Sequence, residues 1–231
     1  MNNFFATPEG AWGDGSVRLT STGLITSIGL VVLLIAISLF VRLQKTTSTV
    51  SVKNITTKQL IFSSMAMALA TVTSMIKFMS LPMDGSITLF SMLFVVLIGY
   101  WYGPSIGIMT AVAYGVLQFI LKPTFLAIPQ LFLDYPLAFG ALGLSGFFYK
   151  RKNGLAIGYL VGVIGRFIFA TISGVVYFGS YAPEGTPALV YSITYQASYI
   201  VPEAAVTLFL ITREPVANAL THVKKLARAE L

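Results

Sequence analysis

The chain contains no cysteine, which excludes disulfides, thiolate metal centres and a cysteine nucleophile. Its one histidine, His222, lies in a basic C-terminal stretch, which disfavours a histidine-based triad or a zinc site. No G-x-x-x-x-G-K-[ST] phosphate loop occurs, so nucleotide hydrolysis of that kind must come from elsewhere. Charge is scarce: Asp, Glu, Lys and Arg make up 10% of the 231 residues, against 56% hydrophobic residues. A soluble domain of this length cannot bury so large an apolar share. The composition reads as an all-α integral membrane protein. No catalytic residue, metal or cofactor is expected.

The first 23 residues also lack the basic start of a cleaved signal peptide, since Arg18 stands alone against Glu9 and Asp14. Apolar runs of about 17–25 residues mark membrane spans. They fall at Leu24–Val41, Gln59–Met79, Ile87–Tyr102, Ser105–Leu121, Phe132–Tyr149, Leu155–Tyr181 and Ala188–Thr212. A Thr- and Ser-rich linker separates the first span from the others. The expected organisation is an N-terminal segment (1–23), one extra transmembrane helix (24–41), a linker (42–58), a six-span membrane domain (59–212) and a basic tail (213–231).

Orientation follows from cation asymmetry. With the N-terminus outside, eleven of the 15 cations fall on cytoplasmic segments, among them Lys150, Arg151, Lys152, Lys224 and Arg228. Arg18, Lys77 and Lys122 fall outside, and Arg166 lies within a span. The net charge of +7 is thus a topology signal and does not call for nucleic acid. In the tail, Val216, Leu220, Val223 and Ala227 share one helical face, which is expected to lie on the inner membrane surface. The protein is expected at the cell membrane with a cytoplasmic C-terminus.

Ionisable groups inside spans mark functional sites by default. Asp134 stands at the start of its span, followed by Tyr135 and Pro136, so it reads either as a site carboxylate or as an N-cap of its own helix. Arg166 and Glu203 come out at matching depths, roughly 14–18 Å from the cytoplasmic side at 1.5 Å per residue. That match predicts an ion pair of structural character. Tyr191, Tyr195 and Tyr199 recur at i, i+4 and i+8, with Gln196 beside them, on one helical face. Aromatic faces near a carboxylate suit a flat cationic heterocycle. On the first core helix, Ser64 and Ala68 form one small-residue register and Ala66 and Ala70 another. Either can dock a partner helix or simply pack within the bundle.

Three stretches carry a family resemblance: Leu81–Met92, Gln130–Gly146 and Ile172–Gly185, extended by Val190–Glu203. They resemble the thiamine-specific S components of energy-coupling factor (ECF) transporters, over about Gln59 to Thr212. The resemblance implies a six-helix S-component-like bundle that captures thiamine from outside. Its implied partners are a transmembrane coupling protein and two ATPase subunits. It places the acidic ligand contact at Asp134 with Tyr135, and a ring contact at Tyr191. Tyr177, Phe178 and Gly174 would line the site from the preceding helix, with Gln130, Tyr195 and Gln196 completing it. Coupling-protein docking would fall on Ser64 and Ala68, with Ala66 and Ala70 as the other register. The loop Leu81–Ser86, with Gly85, would act as an outer lid. The sequence departs from the family where Ala170 replaces an expected histidine, Phe178 an expected tryptophan or other ring, and Gln196 an expected asparagine. Another cationic or pyrimidine-bearing vitamin therefore stands as the alternative ligand, and a proton-coupled stand-alone transporter as the alternative mechanism.

Overall fold

The computed structural model describes residues 55–81, 85–124 and 126–229, and the backbone of two short antiparallel strands, β1 (Ala6–Pro8) and β2 (Val17–Leu19). The expected Leu24–Val41 helix and most of the 42–58 linker lie outside the described residues. So does the tip of the expected lid, at residues 82–84.

Helix α1 (Thr57–Met75) begins with a reciprocal cap: Gln59 N–H donates to Thr56 Oγ1 at 3.2 Å, and Thr56 N–H to Gln59 Oε1 at 3.0 Å. It stops at Met75, short of the expected Met79. The chain there turns into a hairpin, β3 (Lys77–Ser80) with β4 (Ser86–Thr88). Helix α2 (Ser91–Tyr102) is apolar on nearly every side and buries Met92, Val95, Val96, Ile98 and Trp101, as a central helix must. At Gly103, φ +96°, the chain reverses into α3 (Pro104–Leu121), whose proline occupies the first turn. The letters Gly103-x-Ser105-x-Gly107 match a serine-hydrolase elbow, but they form a helix-to-helix corner where a strand-to-helix turn is required.

Helix α4 (Ile128–Phe148) changes pitch along its length: an α-turn, a π-turn over Leu133–Leu137, a short α-segment, then a 3-10 stretch over Ala141–Phe148. Pro136 explains the π-turn. It offers no N–H to the preceding turn, and the ladder resumes with Ala138 N–H on the Leu133 carbonyl, five residues back. Helices α5 (Gly154–Tyr177), α6 (Ala188–Ile211) and α7 (Glu214–Arg228) complete the chain.

Helices α3, α4 and α5 are each long and apolar enough to cross a membrane, and α2 is a shorter apolar helix. The outward faces of α1 and α6 carry exposed Leu60, Met65, Val72, Leu189, Val201 and Phe209. Such rows are expected of surfaces meeting lipid. The bundle closes through direct backbone contact. A Cβ added at Gly143 would overlap Gly107 and Ile108, and one at Gly107 would overlap the Cα of Gly99. Burial also separates the two small-residue registers of α1. Ala66 and Ala70 are inside, with Tyr114 OH donating to the Ala70 carbonyl at 3.2 Å, so they are not available for docking. Ser64 and Ala68 face outward.

The apolar face of the tail packs against the bundle. On α7, Ala227 is fully buried and Leu220 and Val223 pack on the core, so the apolar stripe covers the end of the bundle. Tyr102 OH donates to the Ala227 carbonyl at 3.1 Å, Lys58 Nζ to the Ala229 carbonyl at 2.7 Å and Lys224 Nζ to the Tyr149 carbonyl at 2.6 Å. Burial and the neighbouring Arg228 guanidinium hold the Lys224 ammonium down at about 8.

Two outcomes follow for stability. Gly143→Val, which forces helices α3 and α4 apart, should destabilise the detergent-solubilised protein by about 1–3 kcal/mol in a melting experiment. Between about 8 and the ordinary 10.5 of lysine, the unfolded chain binds the proton that folded Lys224 has lost, so stability rises with pH there. Wild type should therefore gain melting temperature relative to Lys224→Met on going from about pH 7.5 to about pH 9.5.

Candidate functional site

At the hairpin end the bundle opens. A cavity of about 400 Å³ is lined from α1, the β3–β4 hairpin, α2, α3, α4, α5 and α6. That volume suits a small organic molecule.

Asp134 reaches the cavity from the second turn of α4. It is not an N-cap. The helix starts at Ile128, with Pro129 in its first turn, and the capping position is held by Ala127. Gln130 Nε2 donates to Asp134 Oδ2 and, at 3.2 Å, to the Thr124 carbonyl, while Leu126 N–H donates to Gln130 Oε1 at 3.1 Å. Gln130 is fully buried and does not line the cavity. Its amide orients the carboxylate. Tyr135 lines the cavity with its ring, which meets Phe119 edge-on at 5.1 Å. Its hydroxyl is engaged elsewhere: it donates to the Lys122 carbonyl at 2.8 Å and accepts from Thr124 N–H at 2.9 Å. The π-turn thus holds Asp134 towards the cavity while Tyr135 ties down the α3–α4 connection.

The opposite wall is the aromatic face of α6. Tyr191 and Tyr195 stack with centroids 6.2 Å apart, and Tyr195 and Tyr199 meet edge-on at 5.8 Å. All three line the cavity together with Gln196. Tyr195 OH accepts from Gly85 N–H of the hairpin at 2.9 Å. Tyr199 OH donates to Gln196 Oε1, and Gln196 Nε2 donates to the Ala170 carbonyl at 3.2 Å. The small Ala170 side chain, where the resemblance implies a histidine, therefore sits beside an amide that crosses from α6 to α5.

On α5, Gly174 and Phe178 line the cavity, whereas Tyr177 is turned into a separate cluster with Leu133 and Val176. Phe178, the capping residue just past α5, lines the cavity and also packs against that cluster, whereas Tyr177 does not reach the cavity. A Cβ on Gly174 would meet Ser192 Oγ at 2.8 Å.

The expected Arg166–Glu203 ion pair is not formed. The Arg166 guanidinium lies over the Phe139 ring at 4.3 Å. The Glu203 carboxylate instead accepts from Thr88 N–H (3.3 Å) and Oγ1 (2.7 Å), Ser91 Oγ (3.2 Å) and Met92 N–H (3.4 Å). Neutral donors, strengthened by the carboxylate's charge, satisfy it without a cation.

Sequence reasoning missed several cavity residues: Ser91, Gln118 and Ser192. Ser192 carries a detectable signal, since it lies on the same stretch of α6 as Tyr191, Tyr195 and Tyr199. Among the described residues, buried Gln118 Nε2 and Ser192 Oγ have no hydrogen-bond partner. Buried polar atoms of this kind call for a polar occupant.

Residues 60–221 match the family model described as thiamine transporter protein (Thia_YuaJ). The thiamine transporter ThiT of Bacillus subtilis is 37% identical over 139 residues, 54% of this chain and 72% of that protein. The thiamine transporter ThiT of Lacticaseibacillus paracasei is 28% identical over 115 residues, 42% of this chain and 57% of that protein. A solved structure of ThiT from Listeria monocytogenes superposes with a TM-score of 0.58 at 23% identity, covering 74% of this chain and 94% of the other. That likeness supports the helical membrane bundle, and the match over more than half of the sequence decides the rest: the chain belongs to the thiamine transporter protein family.

Proposed function

We propose that this chain is the substrate-capture subunit of an ECF-type vitamin importer and that its ligand is thiamine. One observation carries the reading. A carboxylate oriented by a buried amide, Asp134 on Gln130, shares a cavity with a ladder of three tyrosines, Tyr191, Tyr195 and Tyr199.

Thiamine is a flat aminopyrimidine joined to a permanently cationic thiazolium that ends in a hydroxyethyl group. Asp134 neutralises the thiazolium charge, which in a largely apolar cavity is the strongest attraction on offer. Tyr191 and Phe178 wall the rings, and the tyrosine faces add cation–π attraction. Arg166 repels the cationic ring, so the acceptor-bearing end of the ligand turns towards it. Gln118 Nε2 and Ser192 Oγ supply the remaining polar contacts. Gln196 keeps an unused amide N–H for the pyrimidine edge.

The chain performs no covalent step. The cation asymmetry supports a cavity that opens outside the cell, with the N-terminus outside and the α7 end cytoplasmic. Energy comes from ATPase partners through a transmembrane coupling protein. The exposed Ser64 and Ala68 face of α1 is the docking surface for that protein, because small residues permit close helix approach.

Three measurements test the reading. Asp134→Asn should weaken thiamine binding by about 10- to 100-fold, the effect of losing one charged contact; affinity within twofold of wild type would remove Asp134 from the site. Gln130→Leu, which touches no ligand, should also lower affinity, because the carboxylate loses its orienting donor. In a ligand panel followed by intrinsic fluorescence, thiamine should bind more tightly than other pyrimidine-bearing or cationic vitamins, and a reversed order would reassign the ligand. Separately, Ala68→Trp should leave binding intact and abolish uptake in cells, and uptake that survives would misplace the docking face.

A further inference from the structure

We infer that Glu203 is a positioning residue that latches the β3–β4 hairpin over the cavity. This rests on the thiamine-capture reading of the same cavity. Glu203 is 5% exposed, deep on α6, and it contacts the lid and the core together. One carboxylate oxygen takes both Thr88 donors, at the end of β4. The other takes Ser91 Oγ and Met92 N–H, in the first turn of α2.

That first turn needs an acceptor. Phe90, the capping residue, has φ +59° and provides no side-chain cap, so the N–H groups at the positive end of the α2 dipole look outward for one. A carboxylate contributed from α6 fills the role. A further anchor of the hairpin is also on α6: Gly85 N–H donates to Tyr195 OH. Strand β4 is therefore held at its start by Tyr195 and at its end by Glu203. Strand β3 is exposed along its whole length and pairs with β4. Opening the lid requires releasing α6 from β4, where the charged contact at Glu203 is stronger than the neutral one at Tyr195. Glutamine at 203 keeps one acceptor oxygen, so it loosens this grip without emptying the site.

The test uses the full chain in lipid nanodiscs and two readouts. Because the chain has no native cysteine, nitroxides on Ser80→Cys and Glu184→Cys report the distance from the hairpin to the α5–α6 connection without any ligand. The wild-type background should give one narrow distance distribution, and Glu203→Gln should broaden it towards longer distances. Thiamine dissociation measured by stopped flow should speed up by about tenfold in Glu203→Gln, with association changed far less. Thr88→Val should do the same, and the double variant should add little to either single one, because both remove one interaction. Thr88→Val also reads the contact from the hairpin side where Glu203→Gln fails to fold. Unchanged distances with dissociation within twofold of wild type, or fully additive effects, overturn the latch. A wild-type chain that does not bind thiamine overturns the capture reading instead, and the distance distributions still decide the latch.

Discussion

The bundle depends on how its two intramembrane carboxylates are satisfied. Asp134 and Glu203 are both held by neutral donors, the first by the Gln130 amide and the second by Thr88, Ser91 and the Met92 N–H. Neither relies on Arg166, which rests on the Phe139 ring. Had Arg166 closed on Glu203, both charges would be neutralised and the bottom of the cavity would be bridged by two long side chains. Keeping them apart leaves a largely apolar cavity with a distinct negative wall at Asp134. A cationic ligand can then gain more from that wall than from water.

The two ends of the molecule solve opposite packing problems. At the α7 end, glycines bring α2, α3 and α4 into backbone contact, Ser145 Oγ donates to the Val96 carbonyl at 2.8 Å, and α7 covers the remaining apolar surface. At the hairpin end tyrosines and amides line the cavity. A rigid base under a wider mouth is the arrangement that lets a lid move without disturbing the bundle.

The span order and the aromatic face of α6 were legible because each rests on a period: apolar runs of membrane length, and tyrosines at four-residue intervals. What failed lacks such a period. Matching Arg166 with Glu203 by depth ignored rotation about the helix axes, and ignored the donors of a hairpin that hydropathy had absorbed into Gln59–Met79 and Ile87–Tyr102. The two registers of α1 could not be told apart, since apolar residues surround that helix. Only burial shows Ala66 and Ala70 inside with Ser64 and Ala68 outside. Tyr177 and Phe178 differ by a single step along α5, and no spacing argument decides which of the two faces the cavity.

Asp134 shows how a local irregularity sets the chemistry. Its polar start, Asp134-Tyr135-Pro136, imitates the opening of a helix, yet α4 begins at Ile128, just ahead of Pro129. The second proline then falls inside the helix and forces the π-turn at Leu133–Leu137. The wider turn changes the angular offset between the residues before it and those after it. Gln130 and Asp134, four apart, still meet on one face, while Tyr135 turns to secure residues 122–124. Replacing Pro136 with a residue that restores the regular ladder would shift that offset and move the carboxylate relative to Tyr191. The proline therefore belongs to the site as much as the aspartate it follows.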